Sequence, residues 1–576
     1  MSQVDIDEIQ QGIEDLDFEN PGFEPLPEFK EEPGESKPKF TLMPHQVEAL
    51  AWMVEREKDP YFKAGLLGML MGLGKTFTSL KLIEQNKANG PTLVVCPKTA
   101  LYTWEEQIQK FYGNKLKVLV FRKDRCRMDN VTKGMLSGYD IVLTNYDFVR
   151  SLNTKYQLQK KIQITVSKGE SEVVVGMNVP IQPLMDSEFG EGLLFSMKWC
   201  RIISDESHNF SNRKTALWTT MMCLCGGFRW CLTGTPIRNY DDDVYNQFKW
   251  LGFKDKAFNP SAFRKLNLAK FIHFVDYNKA NVVLPDVSHN KLFVKLDQQQ
   301  QNIYDYYFKK AREAFEDWTL GCKNFASVLV QFLRLRQVCV APYIITPIAK
   351  RDCRMTEEER REYLQAQEDL AADMEDSSMV EYMHTKETSS GIQAAKILKT
   401  VEIIRAVPSG EKVVVFTMFP RAIDLLTEAL GDTKTHVYID GTVVGKERDA
   451  TLTKFKQTNI DVLFISYKVG SESLNLTEAN HVILLEPWWS HAVLEQAKSR
   501  VNRMGQTKNI SIYEMFIRTD FREGIAEKDR ELSMEEKILL VCEKKKKLAD
   551  EFLAKGGAGK EGGEGVNAEL LRDILF

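Results

Sequence analysis

Short apolar runs alternate with segments whose apolar residues recur at helical spacing in the front half of the chain. The runs cover residues 66–71, 92–97, 139–146, 199–208 and 228–236. Continuous runs of this kind are typical of strands buried on both faces of a parallel sheet. Helical patterns begin at Pro44, before the first run, and at Ala100, after the second. The alternation predicts a parallel sheet with helices on both faces.

A second set of apolar runs starts near Ile392 and predicts a second lobe of the same type. Its strands are predicted at residues 412–419, 436–440, 461–466, 481–486 and 510–517. Two segments break the alternation: residues 151–198 predict an inserted β-hairpin that turns at Lys168 and Gly169, and residues 295–345 predict helices. The predicted fold class is α/β, with two parallel-sheet lobes in tandem and helical insertions.

These patterns divide the chain into five predicted segments. They are an acidic disordered tail (1–39), a first lobe (40–270) with the hairpin insertion (151–198), a helical protrusion and acidic linker (271–391), a second lobe (392–522), and a C-terminal helix with a flexible tail (523–576). The first segment is interpreted as disordered because it is acidic and rich in proline. It is either a solubilising tail or, as the alternative, a mimic of DNA phosphates over a basic groove.

Composition is that of a soluble globular protein, since 43% of the 576 residues are apolar and 27% are charged. No apolar run reaches the roughly 20 residues of a membrane span, and no secretory signal opens the chain. The ten cysteines lack a C-x-x-C pair, which favours free thiols in a reducing compartment over a zinc site. We therefore expect an intracellular protein without a membrane partner.

The net charge of −4 hides an uneven distribution. Residues 1–35 carry twelve acidic side chains and one basic one, so the remainder holds 76 Lys and Arg against 69 Asp and Glu. That balance permits a basic groove for nucleic acid but does not demonstrate one.

The strongest local signal of chemistry is GLLGMLMGLGKT at residues 65–76, in which an apolar run ends in a glycine-rich turn before a helical pattern. The turn and the residues after it are Gly72, Leu73, Gly74, Lys75 and Thr76. In such a loop, backbone N–H groups approach phosphate oxygens, the lysine reaches the terminal phosphates, and the hydroxyl binds Mg²⁺. We interpret the stretch as a nucleotide-binding loop; the alternative is a plain strand–turn–helix corner.

Two carboxylates, Asp205 and Glu206, lie near the end of the fourth apolar run, residues 199–208. Ligands of open α/β sheets bind at the carboxyl ends of the strands, and we expect this strand to neighbour the strand of the phosphate loop. Asp205 would hold Mg²⁺ and Glu206 would polarise the attacking water. The alternative is an acidic cap at the start of a surface helix.

Gln496, Arg500 and Arg503 are separated by four and three residues, which predicts that they share one helical face in the second lobe. Guanidinium groups placed there would reach across a cleft and stabilise charge on a γ-phosphate. An exposed basic helix is the alternative interpretation.

In their order along the chain, these motifs resemble those of the Swi/Snf-related ATPases of helicase superfamily two. The similarity runs from about Leu42 to Thr519 and includes LMPHQ, MGLGKT, DESH, RWCLTGTPIRN, LRLRQVCVAP, PWW and RMGQT. The resemblance implies two RecA-like lobes, ATP and Mg²⁺ as cofactors, and double-stranded DNA as partner. It further implies a DNA-dependent ATPase that translocates on duplex DNA and remodels protein–DNA complexes, chromatin among them.

The resemblance also implies roles for individual residues. The implied catalytic residues are Lys75, Asp205, Glu206, Gln496, Arg500 and Arg503. The implied nucleotide-binding residues are Gln46, which would read the adenine, and Gly72, Leu73, Gly74, Lys75 and Thr76, with Thr76 and Asp205 at the metal. The implied DNA contacts are Lys98, Thr99, Asn145, Tyr146, Ser466 and Lys468. The tryptophans Trp104, Trp488 and Trp489 are interpreted as packing residues.

Two stretches depart from the family pattern. Met69 and Leu70 stand where the family usually has Asp-Glu, outside the lysine–threonine chemistry, so we expect ATP binding to survive. The second-lobe motif Gly-Gly-x-Gly reads Gly-Ser-Glu-Ser here, and the carboxylate of Glu472 would repel a DNA phosphate.

Two alternatives to the duplex motor stay open. The first is a strand-separating helicase or a transcription-release ATPase, and the second is a DNA-binding scaffold that does not hydrolyse ATP. Nucleosomes or the transcription machinery are the candidate complexes, and a monomer is favoured. The expected compartment is the nucleus, or a viral replication site if a virus encodes the chain.

Overall fold

The computed structural model describes residues 41–85, 90–168, 171–180, 187, 190–235, 241–253, 270–322, 325–345, 394–441, 443, 445–470, 474–488, 491–519 and 531–554. The chain divides into two compact units, Met1–Val283 with Lys547–Gly562 and Leu284–Lys546 with Gly563–Phe576, which we call the first and second lobes. The predictions for the acidic tail, the acidic linker after residue 345, the glycine-rich end and Glu472 lie outside the described residues.

The first lobe is built on a seven-stranded parallel sheet of order β3-β4-β2-β7-β8-β1-β9. Its strands are β1 (Ala64–Met69), β2 (Thr92–Cys96), β3 (Val118–Val120), β4 (Ile141–Asn145), β7 (Trp199–Asp205), β8 (Gly226–Thr233) and β9 (Ile272–Val275). Its helices are α1 (Pro44–Lys58), α2 (Lys75–Gln85), α3 (Ala100–Tyr112), α4 (Lys133–Ser137), α5 (Tyr146–Tyr156), α6 (Leu193–Ser196), α7 (Ala216–Met222) and α8 (Asp241–Leu251). The prediction of a parallel sheet in this part of the chain is confirmed.

Both faces of this sheet are buried. Successive side chains of a strand point to opposite faces, so each strand contributes residues to two separate cores. Leu66 of β1 packs in one core with Leu93 of β2. Its neighbour Leu67 packs in a separate core with Val94. The continuous apolar runs therefore reflect a sheet covered on two sides.

The predicted hairpin insertion is present as β5 (Gln159–Lys168) and β6 (Ser171–Pro180). The two strands pair antiparallel, with Lys168 opposite Ser171, and form a sheet of their own. The pairing of these strands confirms the predicted hairpin, and the predicted turn residue Gly169 lies outside the described residues.

The second lobe is built on a six-stranded parallel sheet of order β10-β15-β14-β11-β13-β12. Its strands are β10 (Val287–Lys295), β11 (Val413–Thr417), β12 (His436–Ile439), β13 (Val462–Ser466), β14 (His481–Leu484) and β15 (Ile510–Arg518). Its helices are α9 (Gln298–Thr319), α10 (Phe325–Val340), α11 (Ala395–Ala406), α12 (Pro420–Leu430), α13 (Gly445–Gln457), α14 (Tyr467–Gly470) and α15 (His491–Lys498), and α16 (Met534–Ala554) follows β15. All five strands predicted here are confirmed.

Helices α9 and α10 confirm the helical prediction for residues 295–345. Tyr304 and Tyr307 are buried in the core of the second lobe, and Tyr306 packs against that core. Among the described residues, no helix has both the length and the apolar character that crossing a bilayer requires.

Candidate active site

The phosphate loop connects β1 to α2, which begins at Lys75. Gly72 and Gly74 adopt positive φ angles of 83° and 88°, a region that side chains other than glycine rarely occupy. A Cβ atom on Gly74 would also lie 2.2 Å from Nε2 of Gln46. The turn therefore requires glycine at position 74 for both conformation and space.

Helix α1 contacts this loop through its first two side chains after Pro44. Nε2 of Gln46 donates to the main-chain oxygen of Leu73 at 3.0 Å, and Nε2 of His45 lies 3.0 Å from the same oxygen. Oε1 of Gln46 accepts from the main-chain nitrogen of Met43 at 3.0 Å. The amide predicted to read adenine is thus bonded to the phosphate loop in this structure, and its contact with a base stays a prediction.

Lys75 and Thr76 occupy the first positions of α2, where free N–H groups and the helix dipole favour an anion. Nζ of Lys75 donates to the main-chain oxygen of Met69 at 2.7 Å. Its positive charge opposes the burial and the Glu206 charge that together raise the pKa of Asp205. Met69 itself is fully buried in the core, so the departure from the family pattern is absorbed by packing.

The acidic pair lies at the carboxyl end of β7, as expected, but β7 is not the direct neighbour of β1. Strand β8 separates them, with Leu232 opposite Asp205 and Thr233 opposite Gly68. The expectation of adjacent strands was wrong because β8, which comes later in the chain, inserts between the two. The end of β8, with the hydroxyl-bearing side chain of Thr233, therefore lies between the strand that leads to the phosphate loop and the strand that carries the carboxylates.

Asp205 is buried and both of its carboxylate oxygens accept hydrogen bonds. Nε1 of Trp104 donates to Oδ2 at 2.9 Å, and the main-chain nitrogen of Glu206 donates to Oδ1 at 3.0 Å. Burial, followed by the neighbouring Glu206 charge, raises the pKa of Asp205 to about 6. Tyr146 fixes the same residue from the backbone side, since its hydroxyl donates to the main-chain oxygen of Asp205 at 2.6 Å.

Glu206 has a left-handed backbone with φ of 51°, which is uncommon for a residue other than glycine and often marks a functional site. It precedes a short 3₁₀ turn, Ser207–Phe210, but its carboxylate makes no capping bond. The alternative of a helix cap is therefore wrong. Oε2 of Glu206 is buried, lacks a hydrogen-bond partner in the described part of the chain and lies 3.4 Å from Nδ1 of His208.

His208 connects the acidic pair to the turn after β8. Its Nδ1 lies 3.1 Å from Oγ1 of Thr233, and this hydroxyl accepts from the main-chain nitrogen of Thr235 at 3.1 Å. A movement of the Glu206 carboxylate would therefore act, through His208, on the hydrogen bond between Thr233 and Thr235.

The donor set fits Mg²⁺. Asp205 supplies a carboxylate at the end of β7, and Thr76 supplies a hydroxyl at the start of α2. Hard oxygen donors of this number suit Mg²⁺, which binds one or two carboxylates together with substrate phosphates. Within the described ranges, no group of three or more His, Cys, Asp or Glu side chains is arranged so that it could hold a metal ion by itself.

In the second lobe, the prediction of one helical face for Gln496, Arg500 and Arg503 was wrong. Helix α15 ends at Lys498, so only Gln496 is helical. The main-chain oxygen of Arg500 accepts from the nitrogen of Leu476 at 3.0 Å, and this tertiary bond replaces helix continuation. Both arginines lie in the turn that follows the helix.

The two guanidinium groups differ in their surroundings. Arg500 is buried, whereas Arg503 is partly exposed and its Nη1 donates to the main-chain oxygen of Leu474 at 3.0 Å. Leu474 directly follows the Gly-Ser-Glu-Ser stretch. The arginine turn and the chain next to that stretch are therefore in contact within the second lobe.

The predicted DNA contacts are not all on the surface. Lys98 is exposed, whereas Asn145 and Tyr146 are 3% and 6% exposed. Oδ1 of Asn145 caps α5 by accepting from the nitrogen of Phe148 at 2.8 Å. With these side chains directed inward, a contact of Asn145 or Tyr146 with a duplex would have to use the main chain.

The remaining candidates lie at element ends. Thr99 precedes α3 and its hydroxyl oxygen is buried, and Ser466 is the buried last residue of β13. Lys468 lies in α14, and its side chain is outside the described atoms.

The sequence analysis did not predict the contacts that Trp104 and Tyr146 make with Asp205. Trp104 was interpreted as packing, which its complete burial confirms, yet it also donates to the carboxylate of Asp205. Tyr146 was placed at DNA, yet its hydroxyl contacts Asp205 and lies 2.8 Å from Oγ of Ser204. A buried polar aromatic at the end of a strand or at the start of a helix was the available signal, because such groups need a hydrogen-bond partner.

Comparison with known families agrees with this geometry. The SNF2-related domain matches residues 45–344, and the helicase conserved C-terminal domain matches residues 395–505. The first match covers more than half of the chain and contains the phosphate loop and the acidic pair. The second contains Gln496, Arg500 and Arg503.

Individual relatives fall in the same family. The putative helicase 172L of Invertebrate iridescent virus 6 is 32% identical, over 89% of this chain and 91% of its own length. The DNA repair protein RAD5A of Arabidopsis thaliana is 25% identical over 76% of this chain and 50% of its own length. Transcription termination factor 2 of Drosophila melanogaster is 25% identical over 93% of this chain and 58% of its own length. The chain thus spans most of the viral relative but only 50% and 58% of the two cellular ones.

Two parallel-sheet lobes, a phosphate loop with its acidic pair and two matching family domains lead to one conclusion: the chain belongs to the SNF2-related family of helicase-type, ATP-dependent enzymes with tandem RecA-like lobes.

Proposed function

We propose that this ATPase uses hydrolysis to translocate along double-stranded DNA and to remodel protein–DNA complexes. The observation that carries the proposal is the convergence of Lys75 and the Asp205–Glu206 pair at the carboxyl edge of one sheet. A phosphate-binding lysine and a metal-binding carboxylate at that edge are the minimum machinery of a P-loop ATPase.

The roles of the first-lobe residues follow from their chemistry. The N–H groups of the loop and Nζ of Lys75 would hold the β- and γ-phosphates, while Thr76 and Asp205 would hold Mg²⁺. The cation, when bound, neutralises charge on the phosphates. The Glu206 carboxylate, with its free buried oxygen, would orient and polarise the attacking water.

The second lobe would complete the machinery. Arg500 and Arg503 would stabilise charge that develops on the γ-phosphate, and Gln496 would support them. DNA would be bound through its phosphates, without reading of bases, at Lys98, Thr99, Ser466 and Lys468 and at the main chain of Asn145 and Tyr146. Nucleosomes or transcription complexes are the proposed obstacles, and the names of the repair and termination relatives support this range.

A triplex displacement assay tests translocation directly. A translocase removes a third strand from a duplex in the presence of ATP and leaves the duplex intact. We expect displacement with the wild-type chain and none with Lys75→Ala or Glu206→Gln. A Glu206→Gln chain that still binds ATP would show that hydrolysis, and not binding alone, drives the displacement.

Two further substrates, a blunt duplex with a labelled strand and a polymerase stalled on DNA, distinguish the alternatives. Release of a labelled strand from a blunt duplex would favour a strand-separating helicase. Displacement of a stalled polymerase in the absence of triplex displacement would favour a transcription-release ATPase. DNA binding without any hydrolysis would favour the scaffold, against which the complete set of Lys75, Asp205, Glu206 and two arginines argues.

A further inference from the structure

The phosphate loop is held by side chains at two of its carbonyl oxygens. His45 and Gln46 from α1 contact the oxygen of Leu73. The hydroxyl of Tyr277 donates to the oxygen of Met71 at 2.8 Å. Tyr277 lies two residues after the end of β9, the strand that pairs with β1.

These contacts determine where the loop's amide protons point. A trans peptide is planar, so its C=O and N–H bonds point in opposite directions. When the oxygens of Met71 and Leu73 are held outward, the N–H groups of Gly72 and Gly74 must point to the other side, into the cradle. Neither of these N–H groups donates a backbone hydrogen bond in the described part of the chain. The loop therefore presents two preoriented donors for phosphate oxygens.

Tyr277 also belongs to the segment that leaves the first lobe. It starts a compact turn in which the nitrogen of Ala280 donates to the oxygen of Asp276 at 3.0 Å and that of Val282 donates to the oxygen of Tyr277 at 3.0 Å. The longer of the two segments that form the first lobe ends at Val283, where the chain continues into the second lobe. The Tyr277 hydroxyl thus links the phosphate loop to the segment through which the chain leaves the first lobe.

We propose that Tyr277 is a positioning residue that holds the phosphate loop in its phosphate-accepting shape and transmits nucleotide binding to the exit segment 276–283. This inference rests on the proposed ATP binding. If the Tyr277–Met71 bond favours bound nucleotide, then by linkage bound nucleotide strengthens that bond by the same factor. The exit segment therefore becomes more rigid when the loop is occupied.

Binding of ADP with Mg²⁺ to the full-length chain tests the first half of the proposal. Loss of one net hydrogen bond predicts that Tyr277→Phe raises the Kd for ADP by about fivefold. The matched control is Tyr112→Phe, because the Tyr112 hydroxyl donates to Oε2 of Glu84 at 3.1 Å in the same lobe without contacting the loop. The control is expected to keep the wild-type Kd.

Amide hydrogen exchange tests the second half, first in the wild-type chain and then in the variants. We expect ADP to slow exchange in residues 276–283 of the wild type and of Tyr112→Phe, but not of Tyr277→Phe. A wild type that binds ADP without protecting this segment overturns the inference. So does a Tyr277→Phe chain with wild-type affinity, or an equal loss of affinity in both variants. A wild type that binds no ADP contradicts the proposed function itself, which keeps the two failures distinct.

Discussion

Nε1 of Trp104, a fully buried side chain of α3, donates a hydrogen bond of 2.9 Å to Oδ2 of Asp205 at the end of β7. The bond orients a carboxylate that would otherwise rotate about its last torsion. Because Oδ1 accepts from the nitrogen of Glu206, the plane of the carboxylate is determined at both oxygens. At the proposed metal site, a cation would therefore meet a preoriented ligand, which would lower the reorganisation required for binding.

Replacing Trp104 by Phe should weaken Mg²⁺ binding more than it weakens the fold. A hydrogen bond to a charged group contributes about 1.5–3 kcal/mol, so we expect at least a tenfold rise in the Mg²⁺ concentration that half-saturates hydrolysis. Trp199→Phe is the matched control, because Nε1 of Trp199 donates to the main-chain oxygen of Leu194 at 3.0 Å in the same lobe. Equal Mg²⁺ requirements in the two variants would show that the Trp104 bond does not act on the metal site.

The pH dependence of hydrolysis should carry the signature of Asp205. Its pKa is raised from 3.8 to about 6, chiefly by burial, and only the ionised form binds a cation well. At limiting Mg²⁺, the rate should therefore fall as the pH drops through about 6. Because a bound cation favours the ionised carboxylate, saturating Mg²⁺ should shift this midpoint to lower pH. A midpoint that does not respond to Mg²⁺ would assign the titration to another group.

A buried ion pair fixes α1, the helix of Gln46, on the sheet. Nε and Nη2 of Arg201 each donate to a carboxylate oxygen of Glu57 at 2.6 Å, and Nε1 of Trp230 donates to Glu57 at 2.9 Å. Arg201→Met should destabilise the first lobe by about 3–5 kcal/mol, because it leaves a buried charge without its partner. The joint replacement with Glu57→Leu should recover part of this loss.

Urea unfolding followed by tryptophan fluorescence measures both changes. The control is Arg150→Met, which breaks an exposed pair with Asp147 and should change stability by no more than about 1 kcal/mol. If Arg201→Met matched this control, the ion pair would contribute little to the position of α1.

The arginine turn of the second lobe should act on hydrolysis and not on binding. Replacing Arg503 by Ala is expected to lower kcat by roughly a thousandfold or more, the range of arginine fingers, with the affinity for ADP unchanged. Arg503→Lys should restore only part of the rate, since a lysine lacks the planar fork of a guanidinium. Single-turnover ATPase measurements with calorimetric ADP binding give both quantities. A parallel loss of ADP affinity would mean that the turn, through its bond to Leu474, is structural.

Much of the fold could be predicted from the sequence because strands that are buried on both faces form nearly continuous apolar runs. The strands β2 and β11 are buried at every position and almost entirely apolar, since both faces of each sheet are covered. Strands β3, β9 and β10 were not predicted. Strand β10 lies at the edge of its sheet and reads Val-Ser-His-Asn-Lys, with exposed polar residues between half-buried ones, so its local pattern resembles a loop.

The candidate site was predictable where chemistry depends on local sequence and not where it depends on tertiary contacts. Lys75 and the acidic pair were found because loop and strand end are contiguous in the chain. The Trp104–Asp205 hydrogen bond joins residues that are far apart in the sequence, so no local spacing predicts it. The helical spacing of Arg500 and Arg503 misled for the same reason, because a tertiary bond from Leu476 ends the helix first.

The central claim is that duplex DNA drives the ATPase of this chain, and the most direct measurement is the steady-state rate of ATP hydrolysis with and without duplex DNA at fixed salt. Fixed salt is required because phosphate-mediated affinity changes by orders of magnitude with ionic strength. The account predicts a rate that rises with duplex DNA, rises less with single-stranded DNA, and is abolished by Glu206→Gln. An equal rate with and without duplex DNA would contradict it.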